Sequence, residues 1–389
     1  MGAVFVVLLA SCAGDDSLGR ARAPIIGGEV SGPMDDAVVA LAVVSASGFS
    51  GSCSGVLVAD NLVLTARHCV SRTDSGGIRC TQTGEPVVGA GIVSDHPPEN
   101  LLVIVGARPS PAPGPGVRGA RVIAPPVTHL CNGDIAFVVL DGHLSSATIA
   151  PVRLDAGPVV GETITAVGYG VSDASGISRR RRSGVAVLGV GAGAIPFSED
   201  EVGPDELYVG ESVCTGDSGG PALADETGAV LGVASRGGNG APYDPESDPP
   251  WTRCVDMPDP YRVHNIYTRL NAFASTAREA FAAAGAEPWL EGEPAPTAPG
   301  VDAGRDDAGP ADAGSAPPVS DAASSDATSD AGTPTATEDA VVPSADSGVP
   351  PATRRDSGCC VGAGKRGSSC ATLVLFVIAS LLVRRMRVG

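Results

Sequence analysis

The chain has 389 residues, a formal net charge of −18 and 4% aromatic residues, a length that allows two or three domains. The acidity is concentrated in one Asp-rich stretch near the C-terminus, so it gives no support to a nucleic-acid partner and says little about the rest of the surface. The 10 cysteines point to an oxidising compartment outside the cytosol, and no Cys-x-x-Cys spacing within residues 25–286 argues for a metal.

Composition divides the chain into four parts. Residues 1–24 open with an apolar run, Ala3 to Ala10. Leu9-Ala10-Ser11-Cys12 resembles the lipobox of bacterial lipoproteins, in which the cysteine after the cut is lipidated. The usual positive charge ahead of the run is missing, and ordinary signal cleavage near Ser11 or Ala13 is the alternative. A short pro-segment then leads to Ile25.

Residues 25–286 are rich in Val, Ile, Leu and Gly, with short apolar runs separated by turn residues. That is an all-β signature, long enough for two packed barrels. Leu62 to Ala66 reads as a buried strand with His68 just past its end. Asp134 opens another apolar run, Ile135 to Leu140. An Ala-rich stretch with helical character runs from Asn271 to Ala286.

Residues 287–358 are almost wholly Ala, Pro, Asp, Ser, Thr and Gly. They cannot bury enough surface to fold and are read as a disordered acidic linker. Residues 359–389 carry Cys359-Cys360 and Cys370, the apolar run Ala371 to Val383, and Arg384-Arg385-Met386-Arg387. Gly367 to Val383 as a helix spans about 25 Å, barely enough for a bilayer core, with the arginines left in the cytoplasm. This segment resembles the C-terminal sorting tag of myxobacterial surface proteins.

The chemistry centres on Gly216-Asp217-Ser218-Gly219-Gly220-Pro221, two residues after Cys214. A serine hydroxyl is a poor nucleophile until a base takes its proton and backbone N–H groups await the oxyanion. Glycines on both sides of Ser218 allow a sharp turn and close approach of amides to a carbonyl. The hexapeptide resembles the nucleophile loop of the chymotrypsin-like (trypsin-fold) serine proteases. Thr65-Ala66-Arg67-His68-Cys69 is similar to that family's histidine segment, with Arg67 in place of alanine. Asp134-Ile135-Ala136-Phe137 is similar to its aspartate segment, and the order His, Asp, Ser is the family's own. Further matches are Ile25-Ile26-Gly27-Gly28 at the mature N-terminus, Gly168-Tyr169-Gly170 at a Gly-Trp-Gly turn, the cleft strand Gly232 to Gly237, and Ile266 to Leu270 before the closing helix.

The resemblance implies two six-stranded antiparallel β-barrels with a C-terminal helix. It implies a serine endopeptidase without cofactor or metal, acting on polypeptides through His68, Asp134 and Ser218. The N–H groups of Gly216 and Ser218 would form the oxyanion hole, and Ser235 would hydrogen-bond Asp134. Cys53–Cys69 and Cys214–Cys254 match family disulfides. Cys80 and Cys131 remain, and pairing them makes the count even. A free terminus at Ile25 would pair with Asp217. Pro24, not a basic residue, precedes it. An activating protease would therefore cut after Arg22 and a dipeptidyl peptidase remove Ala23-Pro24, or one proline-specific cut would suffice.

For specificity, relatives selective for Arg or Lys carry an aspartate six positions before the nucleophile. Here Ser212 stands there, followed by Val213, so Arg and Lys should be poor. Glu211 lies one position off. Gly237 lines up with a wall glycine, and Asn265 replaces a glycine, which narrows the pocket or places an amide in it. Small or medium uncharged residues are expected. Arg236 replaces a tryptophan and either favours acidic substrate residues upstream or points to solvent. The run Arg179 to Arg182 reads as an exposed basic loop or strand end. The competing class is a surface binding module on an inactive protease fold, whose usual mark is a lost triad residue.

Overall fold

The computed structural model describes residues 25–45, 48–74, 77–109, 116–144, 147–170, 178–244 and 247–296. The expected lipobox, the short pro-segment, residues 297–358 of the expected linker and the expected sorting tag at 359–389 lie outside the described residues. Among the described residues no helix is long and apolar enough to cross a membrane.

Six strands form the first barrel: β1 (Val38–Ser45), β2 (Gly48–Ala59), β3 (Leu62–Thr65), β4 (Leu101–Ile104), β5 (Gly116–Ile123) and β6 (Ala136–Leu140). They run in the order β5-β6-β3-β2-β1-β4 and close through an antiparallel β4–β5 pair. The second barrel uses β7 (Thr163–Gly168), β8 (Arg180–Val190), β9 (Glu206–Val209), β10 (Pro221–Ala224), β11 (Val230–Gly238) and β12 (His264–Arg269). Its order is β8-β7-β10-β11-β12-β9, closed by β9 pairing with β8. Closure pairs every strand of each ring on both sides. The two expected barrels are present.

Strand alternation explains where the core sits. Successive side chains of a strand point to opposite faces. In β1, Val39 and Leu41 enter the first barrel with Val63, Leu101 and Val138. Val38 and Ala40 face the other way, into a cluster shared with Val167 and Val233 of the second barrel. Both faces are buried from Val38 to Ala42, and that part of the strand is wholly apolar. Each fully buried Val or Leu contributes about 1.5–3 kcal/mol.

Helix α2 (Ala274–Ala284) follows a 3-10 turn, Asn271–Phe273. It buries Ala277, Ala280 and Phe281 in the shared cluster. Gly285, with φ +67°, ends it in the left-handed conformation that glycine adopts without cost. The folded part continues past the expected boundary at 286. Val152 N–H donates to Trp289 O (2.8 Å), Glu291 N–H donates to Val152 O (3.0 Å), and Leu290 packs against the core. Leu290 and a short backbone pairing through Trp289 and Glu291 hold these residues to the domain, although the surrounding composition reads as linker.

Of the two readings of the arginine run, the strand end holds and the exposed loop does not, since β8 begins at Arg180. Arg179 precedes β8 and is fully buried. It donates to Ser31 Oγ (2.7 Å), Val38 O (3.0 Å) and Gly32 O (2.8 Å), and it pairs with Asp36. Arg180 donates to Gly28 O, Arg181 pairs with Asp35 (3.2 Å), and Arg182 donates to Ile26 O (2.8 Å). Four consecutive arginines thus bind the segment that follows Ile25.

Candidate active site

Strand pairing brings His68 and Asp134 together. Thr65, at the end of β3, lies opposite Ala136, at the start of β6. His68 follows Thr65 by three residues, on the short helix α1 (Arg67–Val70), and Asp134 precedes Ala136 by two. The Asp134 carboxylate accepts from His68 N–H (2.9 Å), from the imidazole Nδ1 (2.7 Å) and from Ser235 Oγ (2.7 Å). A carboxylate can only accept, so Nδ1 carries the proton and Nε2 is left as a base. Arg67 points away from this chemistry and pairs with Asp95 at 2.7 Å.

Burial opposes the charge on both partners, and the interaction between them outweighs it in each case. Burial lowers the His68 pKa, but the Asp134 charge and hydrogen bond outweigh it, and the net shift is upward. Burial raises the Asp134 pKa. The His68 charge and the hydrogen bonds from His68 and Ser235 reverse this, and the net shift is downward.

Ser218 comes from the second barrel, in the loop before β10. Asp217 N–H donates to Cys214 O (3.0 Å), Gly219 N–H to Ala234 O (2.8 Å) and Gly220 N–H to Asp217 O (2.9 Å). These bonds shape the loop without using the N–H groups of Gly216 or Ser218. Ser54 N–H of β2 donates to Ser218 O (2.7 Å), which ties the loop to the first barrel. Gly219 has φ +77°, and a β-carbon there would lie 2.2 Å from Thr65 Oγ1. Only glycine fits that turn. His68 and Ser218 line one cleft of about 500 Å³ with Val213, Ser235, Gly237 and Asn265.

Asp217 points inward. Its carboxylate accepts from Ile25 N–H (3.0 Å), Cys214 N–H (2.9 Å) and Gly170 N–H (2.7 Å). A β-carbon at Gly168 would lie 2.4 Å from that carboxylate, so the Gly-Tyr-Gly turn is its cradle. Burial pushes the Asp217 pKa up to about 6, against the three backbone hydrogen bonds. Ile25 is fully buried and has φ +51°. That left-handed value is an outlier for a β-branched residue and costs about 1–3 kcal/mol.

The pocket differs from the sequence expectation at two positions. Ser212 is fully buried and is not on the cleft wall. The Asn265 amide donates to Ser212 Oγ (3.2 Å) and to Gly210 O (3.0 Å), and Asn265 itself lines the cleft. The side chain of Asn265 thus stands between the cleft and Ser212. Glu211 turns away to Arg182 (3.3 Å) and to Asp256 N–H (2.8 Å).

Arg236 lies on the cleft wall but neither points to solvent nor offers free charge. Its side chain is 5% exposed, and the guanidinium pairs with Asp200 (3.0 Å) and Glu206 (2.6 Å). A buried cation without such partners would be strongly disfavoured. Both readings of Arg236 are therefore replaced by a buried ion cluster.

The disulfides are Cys53–Cys69, Cys80–Cys131 and Cys214–Cys254. Cys53, Cys69 and His68 lie close enough to hold an ion, but the two sulfurs are bonded to each other and offer no thiolate. Ser54 was not singled out from the sequence. Its Oγ accepts from Tyr169 N–H (2.9 Å) and donates to Gly216 O (3.1 Å), joining two loops of the site. Its one sequence cue is its place beside Cys53.

Two antiparallel barrels bring a His–Asp pair from one and a serine loop from the other to a single cleft. Residues 25–247 match the family described as Trypsin. This match spans more than half of the chain, and the chain belongs to the trypsin family of serine proteases. A search of curated proteins found no match.

Proposed function

We propose that the chain is an exported, surface-tethered serine endopeptidase made as a zymogen. The observation that carries this reading is the Ser235–Asp134–His68 hydrogen-bond chain, which leaves His68 Nε2 as a base in the cleft that Ser218 also lines. Ser218 Oγ attacks a peptide carbonyl while His68 takes its proton. The tetrahedral oxyanion is held by the N–H groups of Gly216 and Ser218. His68 then protonates the leaving amine, and an acyl-enzyme remains on Ser218. Water activated by His68 releases the acid product. Asp134 fixes the imidazole tautomer and stabilises the imidazolium.

The Ile25–Asp217 contact supports activation by a cut before Ile25. The new ammonium would neutralise a carboxylate that burial otherwise disfavours. The torsion at Ile25 exists only while residue 24 is attached, so the cut also relieves it. Tethering rests on the lipobox and the C-terminal cysteine–helix–arginine segment. Truncation after Gly358 should release an active enzyme once the N-terminal segment has been cut away.

A fluorophosphonate probe tests the chemistry directly. Protein beginning at Ile25 should label at Ser218, and the Ser218→Ala variant should not. A correctly processed, folded protein that stays unlabelled is a binding module and not a peptidase.

A further inference from the structure

Among the described residues no carboxylate lines the cleft. Its charged or titratable groups are His68, Arg236, Arg253 and Tyr243. His68 is the base, and Arg236 is already matched by two carboxylates. Arg253 remains. It is exposed, and its guanidinium lies 5.3 Å from the centre of the Tyr243 ring. Among the described residues it has no ion-pair partner.

The backbone under Arg253 is fixed from both sides. It sits on a 3-10 turn, Pro250–Cys254, whose last residue is bonded to Cys214 of the serine loop. Asn239 Nδ2 donates to Thr252 O (2.8 Å) and Val255 O (2.9 Å), on either side of it. A β-carbon at Gly238 would lie 3.8 Å from Arg253 O, which places Arg253 at the end of β11. Gly238 is three residues beyond Ser235, about 10 Å along an extended strand. The cation therefore stands on the cleft rim about three residues from the reacting centre.

We propose that Arg253 is a specificity-determining residue that binds an acidic side chain upstream of the scissile bond. This rests on the peptidase reading above. A guanidinium offers a carboxylate two parallel donors. The aromatic ring beneath it attracts the cation and limits its freedom. The rim is open to water, so the preference should be moderate, about fivefold, and screened by salt. The upstream preference for acidic residues thus belongs to Arg253 and not to Arg236.

The test uses protein beginning at Ile25 and peptides with Ala, Val or Leu before the scissile bond. Glu, Gln or Lys is placed in turn at each of the next three upstream positions. At one position kcat/KM should follow Glu over Gln over Lys, with Glu about fivefold above Gln, and the gap should shrink at about 1 M salt. Arg253→Gln should bring the Glu-to-Gln ratio to about one, and Arg253→Glu should favour Lys. Tyr243→Phe should keep the preference and Tyr243→Leu should weaken it. Probe labelling of Ser218 shows that each variant is folded. Cleavage with equal rates for Glu and Gln at every position, or an Arg253→Gln enzyme that keeps the preference, overturns the inference alone. Absence of both cleavage and labelling in the unmodified sequence overturns the peptidase reading and this inference with it.

Discussion

Arg182 joins Ile26 to Glu211. Its guanidinium donates to the Ile26 carbonyl (2.8 Å) and to the Glu211 carboxylate (3.3 Å). Ile26 follows the residue that reaches Asp217, and Glu211 precedes Ser212 beneath the pocket. One side chain therefore couples the segment behind Ile25 to the pocket base. Arg182→Met should lower stability by about 1 kcal/mol, a modest figure because the side chain is 32% exposed. A urea midpoint indistinguishable from that of the parent protein would show that the bridge is idle.

Arg236 should be far less tolerant. Arg236→Leu strands Asp200 and the fully buried Glu206 without their cation. Breaking a buried pair in this way costs about 3–5 kcal/mol. Adding Glu206→Gln to Arg236→Leu should recover part of the loss, because one stranded charge is gone. Chemical denaturation of the single and double variants measures both steps, and a double variant less stable than the single one contradicts the cluster.

The activity profile should report the His68–Asp134 coupling. Catalysis needs neutral His68, whose pKa lies above the ordinary 6.5 because burial, which lowers it, is outweighed by the Asp134 charge and hydrogen bond together. The acidic limb of kcat/KM should therefore titrate above 6.5. Asp134→Asn removes the charge, moves that limb to lower pH and cuts kcat by on the order of 10⁴. A limb left in place by Asp134→Asn would mean that another group controls it.

Asp217 gives a pH dependence that processing should erase. In the uncut chain its pKa is about 6 folded, against an ordinary value of 3.8. Between those values the folded state holds a proton that the unfolded state has lost, so stability falls as pH rises from about 4 to 6. The loss is on the order of 2–3 kcal/mol. After the cut, the ammonium at Ile25 favours the carboxylate, and the same pH range should no longer destabilise the protein. Thermal melts of Ser218→Ala protein, cut and uncut, across this range test the difference. Parallel curves would exclude the Ile25–Asp217 pair as the responsive element.

What the sequence revealed and what it hid follow one physical division. His68, Asp134 and Ser218 each sit in a short local string whose residues build a strand end or a turn, so the string carries the geometry with it. Cys80–Cys131 was legible because two cysteines remained after the others were paired. The arginines had no such local mark. Arg179 meets Ser31 across 148 residues and Arg236 meets Glu206 across 30. A charge reads as a solvated side chain until the fold supplies its partner. The register of β11 and β12, with Gly237 opposite Asn265, likewise decides that Asn265 rather than Ser212 faces the cleft. Trp289 and Leu290 show the reverse error, since composition around them masked two anchoring residues.

The grip of Arg179 to Arg182 also changes the kinetics expected of activation. The backbone at Ile26, Gly28 and Gly32 is already held, so a terminus created at Ile25 begins one residue from a fixed point. Its amine meets Asp217 at a high effective concentration, as a group on a very short linker does. Ordering one residue costs about 1–2 kcal/mol, less than the about 3–5 kcal/mol lost when one partner of a buried pair is removed. Docking should therefore follow bond cleavage without a slow search, and the appearance of activity should track the rate of the cut itself.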